Sequence, residues 1–127
     1  LLIVDGSPGI GCPVIASITG AKMVLVVTEP TLSGLHDLKR VAELTLQFNI
    51  KTGICINKAA INLEITARID QEAAALGAAV LGRIRYDDSV TEAQIMRRAV
   101  VENEESPAGA DIRALWERVK NEIAKSC

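Results

Sequence analysis

Aromatic side chains are scarce, with Phe48, Tyr86 and Trp116 the only three among 127 residues. Three isolated rings cannot form a platform for stacked bases, and 14 Lys and Arg against 16 Asp and Glu leave a net charge of -2. A phosphate backbone therefore finds neither stacking nor a general electrostatic attraction, which excludes nucleic acid as a principal partner. Long apolar runs are missing too. The longest continuous one covers residues 23–27, whereas a membrane-spanning helix needs about 20 residues. No basic region precedes the first apolar run and Asp5 falls inside it, so no secretory leader is read and the cytoplasm is the expected compartment. Cys12, Cys55 and Cys127 are odd in number and widely spaced, which suits neither a disulfide framework nor a C-x-x-C metal site. His36, the single histidine, lacks a second ligand at metal-binding spacing and would have to do all the base work of a nucleophilic triad.

What remains is ordinary for a folded domain. With 49% hydrophobic and 24% charged residues, the chain can bury a core and is expected to form one domain over residues 1–127. Four short β-branched, nearly continuous apolar runs, residues 1–5, 22–28, 51–57 and 79–84, have the composition of parallel strands covered on both faces. Helical patterns fill the gaps. Pro13 suits the first turn of a short helix ending near Gly20, and Ser33 is the expected cap of a helix burying Leu35, Leu38, Val41 and Ala42. Asn62 caps a helix with Ile65, Ile69, Ala73 and Leu76 on one face, closed by Gly77. Ser89 and Glu92 form an S-x-x-E box that opens a helix running to about Arg98. Arg97 and Arg98 there suit the end of the helix dipole. A last helix opens at Ser106 and Pro107 and turns Ile112, Leu115, Trp116, Val119 and Ile123 toward the sheet. Strand and helix alternate with crossovers longer than ten residues, so the fold class is α/β, three layers with a mostly parallel sheet and helices on both faces.

In such sheets ligands bind beyond the carboxyl ends of the strands. The residues there are Asp5, Thr28 with Glu29, Asn57 with Lys58, and the segment from Arg85 to Ser89. Asp5 followed by Gly6, Ser7, Pro8, Gly9, Ile10 and Gly11 reads either as an acid near a nucleotide's metal ion with a mobile loop behind it, or as an aspartate capping a turn. The spacing of Gly6 and Gly11 satisfies half of a phosphate-cradling loop, but Cys12 and Pro13 stand where Lys and Ser or Thr are required. A G-x-G-x-x-G fingerprint fails as well, at Val14. The dipeptide Asn57-Lys58 is consistent with a purine edge contact or with a simple turn. Ala60 replaces the acid of the guanine-reading N-K-x-D pattern, and the guanine donors left unpaired would cost about 1–3 kcal/mol, so a bound purine should be adenine. Cys55, inside an apolar strand, reads as a small hydrophobe.

Four blocks carry a family resemblance: LLIVDGSPGIGCP at 1–13, TEPTLSGLHDLKR at 28–40, INK at 56–58 and LGRIRYDDSVTEA at 81–93. Together they resemble the MinD/Mrp family of P-loop ATPases, and most closely its branch with an inserted ferredoxin-like iron-sulfur domain. The resemblance implies an incomplete P-loop NTPase-like fold. It further implies an ATPase of the deviant Walker A type, which takes ATP and Mg²⁺, dimerises face to face, and serves iron-sulfur carriage or metallocofactor assembly with a client metalloprotein. By this match Asp5 is the catalytic Walker B acid near Mg²⁺, and Gly6, Pro8, Gly9 and Gly11 belong to the switch loop. Asn57 and Lys58 line the adenine, and Arg85, Tyr86 and Asp87 belong to the turn that closes over the base. The phosphate loop and the cluster cysteines are expected upstream of Leu1, where the chain opens without a methionine. Arg85 replaces the family's usual proline. A sheet lacking the phosphate-loop strand should expose apolar surface, so self-association is expected. The alternative is a non-catalytic α/β binding or oligomerisation module.

Overall fold

The computed structural model describes residues 1–126; Cys127, assigned no role from sequence, lies outside the described residues. The chain runs through α1 (Cys12–Ile18), β1 (Met23–Thr28), α2 (Leu32–Gln47), β2 (Lys51–Asn57), α3 (Leu63–Ala75), β3 (Ala79–Ile84), α4 (Ser89–Ile95), a single 3₁₀ turn (Val100–Glu102) and α5 (Pro107–Lys125). The three strands are parallel in the order β1-β2-β3, with Met23 opposite Lys51 and Asn57 opposite Ile84. An irregularity between Ile54 and Cys55 leaves Leu81 without a partner residue in β2.

Strand alternation sorts the core into two layers. Ile54 and Ile56 point to one face, where they pack with Leu35 and Leu38 of α2 and Ile65, Ile69 and Ala73 of α3. Cys55 points to the other face and packs with Leu81 and with Leu115 and Val119 of α5. β2 is thus the covered central strand, which explains its apolar sequence. Burial pushes the Cys55 thiol up to about 11, because a thiolate there would lose its hydration.

Helix ends follow from local chemistry, with two changes from the sequence pattern. Thr31, and not Ser33, caps α2 by accepting the Gly34 N–H at 2.9 Å. Asp88 occupies the N-cap of α4 without a side-chain cap bond, and the Ser89 N–H goes to Asp87 Oδ1 at 2.9 Å. The expected Ser89–Glu92 box is therefore replaced by an acceptor two residues before Ser89, Asp87. That helix stops at Ile95, short of Arg98, and Arg97 follows in the left-handed region at φ 54°. Asn62 and Ser106 cap α3 and α5 as their sequences indicate, and Gly77 closes α3 at φ 68°. On α5, Leu115 and Val119 are buried, whereas Trp116 stays 38% exposed under the Lys120 ammonium.

The largest departure is at the amino end. Residues 1–5 form no strand: Leu1, Leu2, Ile3 and Val4 are 58–85% exposed. Composition asks for burial on both faces there, but no strand among the described residues flanks the segment, so its backbone stays outside the sheet. On β1 itself Val27 is 60% exposed.

The far end of α5 is tied down by Glu122, which accepts from Lys51 Nζ at 2.7 Å and Lys125 Nζ at 2.8 Å. These two ammonium groups, Lys125 first, hold the Glu122 carboxyl down at about 2. A carboxylate with a depressed folded pKa stabilises above its unfolded pKa and loses that contribution as pH falls through the folded one. Stability is therefore expected to decline from about pH 4.5 toward 2, partly through Glu122. In denaturant melts across that interval, Glu122→Gln should show a shallower pH slope than the parent chain. Equal slopes would mean that the two ion pairs contribute nothing.

Candidate functional site

The three strands deliver their carboxyl ends to one rim, and each end is shaped by its own sequence. After β1, the Thr28 hydroxyl donates to the Gly34 carbonyl at 3.0 Å, folding the T-E-P-T segment back onto the start of α2. This leaves Glu29 at the rim, where its carboxylate takes Lys58 Nζ at 3.1 Å and bridges the ends of β1 and β2. Lys58 adopts φ 52°, so the chain turns sharply after Asn57, and Asn57 Oδ1 accepts the Lys58 N–H at 3.0 Å. That bond fixes the carboxamide and leaves its NH₂ as the group free to donate. The turn is held from both sides: the Ala59 N–H donates to the Ile84 carbonyl at 3.1 Å, and the Thr66 hydroxyl to the Ala59 carbonyl at 2.8 Å.

Past β3, two residues singled out from sequence are engaged within the protein. Arg85 makes a two-pronged pair with Asp111 of α5, Nε to Oδ2 at 2.9 Å and Nη2 to Oδ1 at 3.0 Å, and its N–H donates to the same Oδ2 at 2.9 Å. Asp87 Oδ2 accepts the Ala108 N–H at 3.0 Å and the Ser106 hydroxyl at 2.7 Å, at the amino end of α5. These donors, led by the Ala108 N–H and the Ser106 hydroxyl, then by Ser89, hold the Asp87 carboxyl well below the usual carboxylate range. Ser106 in turn receives the Ser89 hydroxyl at 2.8 Å and the Gly109 N–H at 2.9 Å. The segment 85–89 is thereby locked onto α5, with the Tyr86 ring 61% exposed. The sequence does not mark Asp111 and Ser106 as partners of this turn: they lie 26 residues beyond Arg85 and 19 beyond Asp87, and no local pattern signals the pairing.

Asp5, Gly6, Pro8, Gly9 and Gly11 lie in the exposed segment before α1, with Gly9 at φ 91°. Among the described residues, no hydrogen bond or ion pair ties Asp5 to the rim. The residues present therefore fit a purine nucleotide on one side only. Asn57 holds a fixed amide donor at the end of β2, Lys58 is paired with Glu29 next to it, and past β3 the Tyr86 ring is exposed. No described group forms a cradle of backbone N–H donors for a triphosphate with its Mg²⁺. Two surface depressions, of about 290 and 200 Å³, lie elsewhere: one at the opposite end of the sheet by Asn49 and Lys51, the other between α2 and α3 by His36 and Arg68.

This architecture has counterparts among solved structures. The MinD cell division protein of Aquifex aeolicus superposes with a TM-score of 0.74 at 21% identity, over 89% of this chain and 50% of that one. The septum site-determining protein MinD of Pyrococcus horikoshii, solved with Mg-ADP, gives a TM-score of 0.78 at 18% identity, over 97% of this chain and 51% of that one. The fold is that of MinD. It is an open parallel sheet with helices on both sides, as in these MinD structures, and the chain spans about half their length. Two uncharacterized proteins of Methanocaldococcus jannaschii are each 38% identical over 60 residues, 47% of this chain and 22% of the relative. No family model matches the chain. A further MinD structure from Aquifex aeolicus is a complex with MinC, matched at a TM-score of 0.73.

Proposed function

We propose that these residues are the carboxyl-terminal part of a MinD-type nucleotide-binding domain that, when complete, binds and hydrolyses ATP with Mg²⁺. The observation that carries this reading is the rim itself: on a MinD fold, Asn57, Lys58 and the turn from Arg85 stand side by side where such sheets take ligands. In this proposal Asn57 donates its amide to adenine, Lys58 lies beside it, and Arg85 and Tyr86 border the base. Asp87 shapes the turn from behind. Asp5 is assigned to the metal side, with Gly6, Pro8, Gly9 and Gly11 as the switch loop. Bound Mg-ATP would supply the phosphoryl chemistry, while this chain's residues select and orient the base.

The finer link, to iron-sulfur carriage or metallocofactor assembly for a client metalloprotein, is supported by the four sequence blocks. Among the described residues no three His, Cys, Asp or Glu side chains converge on a metal position, so the proposal assigns any cluster to a domain outside this chain. The cytoplasm is the proposed compartment. Among the described residues no helix is long and apolar enough to cross a membrane.

A titration with fluorescent ATP and Mg²⁺ tests the reading. The 127-residue chain should bind weakly and show no turnover, and a chain extended upstream through the next strand should bind tightly. In the extended chain Asn57→Ala should weaken binding about tenfold, the value of one buried hydrogen bond. Brisk hydrolysis by the short chain, or an upstream stretch without a G-x-G-K-[ST] loop after a strand, would overturn it. In the second case the chain would be read as a non-catalytic module.

A further inference from the structure

The turn after β3 and the start of α5 hold each other through two carboxylates that act in opposite senses. Asp87, on the turn, accepts the Ala108 N–H at 3.0 Å and the Ser106 hydroxyl at 2.7 Å. Asp111, on α5, accepts from the turn: Oδ2 takes the Arg85 N–H and Nε, each at 2.9 Å, and Oδ1 takes Nη2 at 3.0 Å. Nη2 also reaches the Pro107 carbonyl at 3.3 Å. One carboxylate thus fixes Arg85 at its main chain and at its side chain together. A guanidinium whose edge is closed in this way is not free to grip a phosphate by the same edge. Arg85 is committed to holding the turn. The turn is also registered to the Asn57 side, because the Ala59 N–H, two residues past Asn57, donates to the carbonyl of Ile84, one residue before Arg85, at 3.1 Å. All of these bonds join residues between Asn57 and Asp111, and none involves the segment before α1 or the outer edge of β1.

We propose that Asp111 is a positioning residue for a purine base: acting through Arg85, it holds the turn at 85–88 in place beside Asn57, so that one wall of the base site is set before the ligand arrives. The inference rests on the nucleotide reading above and gives α5 a part in it. Asp111 is suited to this because its side chain is only 19% exposed and both of its oxygens are engaged by Arg85. Without it, Asp87 still fastens the far end of the turn to α5, while the end next to Asn57 comes loose. That end must then be ordered each time a base binds, and ordering on binding is subtracted from affinity.

Mg-ATP and Mg-tripolyphosphate, titrated into the upstream-extended chain, test this, because the second ligand carries the phosphates without the base. Asp111→Ala should weaken ATP binding about tenfold, the cost of ordering one or two side chains on binding. Tripolyphosphate should bind as it does to the parent. Asp111→Asn, which keeps the shape and one acceptor oxygen, should show the same split at a smaller size, and it serves for the comparison where the alanine chain does not fold. Val119→Ala removes buried packing from the same helix, so it should lower the melting temperature and leave both affinities unchanged. An equal loss of both ligands, parental ATP affinity in the Asp111 variants, or a loss of ATP affinity in Val119→Ala would overturn the inference and leave the nucleotide reading standing. A parent chain that binds ATP no more tightly than tripolyphosphate would overturn both.

Discussion

Gly34→Ala is expected to be among the most damaging single-methyl changes in the molecule. A Cβ built there stands 2.4 Å from the Glu29 carbonyl oxygen, 2.9 Å from Thr28 Oγ1 and 3.1 Å from Thr31 Oγ1. Two opposing effects meet at this position. In an ordinary exposed helix, Gly to Ala gains up to about 1 kcal/mol from propensity and unfolded-state entropy. Here the nearest atom is backbone, which cannot rotate aside, and the others make the cap of α2 and the fold-back of the strand end. Overpacking of this kind costs about 3 kcal/mol, so the clash outweighs the propensity gain. A loss of that size lowers the melting temperature by about 10 °C for a chain of this length. Thermal melts of Gly34→Ala beside the parent check it. An unchanged or raised midpoint would show that the T-E-P-T turn is free to move, and that the rim is less firmly built than described.

The second large effect is in the core. Ile69 of α3 is 0% exposed and packs in the layer that holds Ile54, Ile56 and Leu38. Ile69→Ala removes the side chain's transfer energy and leaves a hole that two helices and a sheet cannot close. The expected cost is about 4 kcal/mol, a large part of the stability of a small domain. Val27→Ala removes a side chain that is 60% exposed, and should change stability by no more than about 0.5 kcal/mol. Urea unfolding of the two variants separates them. Similar midpoints would place the core elsewhere.

Much of the architecture was legible because the strands that formed are framed by local signals. Residues 51–57 and 79–84 follow helices with recognisable ends, and Asn62, Gly77 and Ser106 act through bonds spanning a few residues. The segment at 1–5 shows the limit of that reading. Its composition reports how much burial a stretch requires, while pairing depends on neighbours that composition does not count. The position of α4 was legible and its cap was not, since Ser89 and Glu92 match a box while Asp87 takes the Ser89 N–H first. At the rim, the strand-end rule located Asn57, Lys58 and Arg85 through topology alone. The bonds of Arg85 and Asp87 to α5 depend on tertiary placement, so the turn's rigidity could not be read from its own residues.

Cys55 has a practical consequence. Its sulfur is sealed between β2 and α5 with its proton held to about 11, while Cys12 lies open on the surface. An alkylating reagent should therefore consume Cys12 at once and reach Cys55 only when the sheet parts from α5. The slow phase of that reaction is a built-in clock for opening of the central strand, readable without adding any label to the chain.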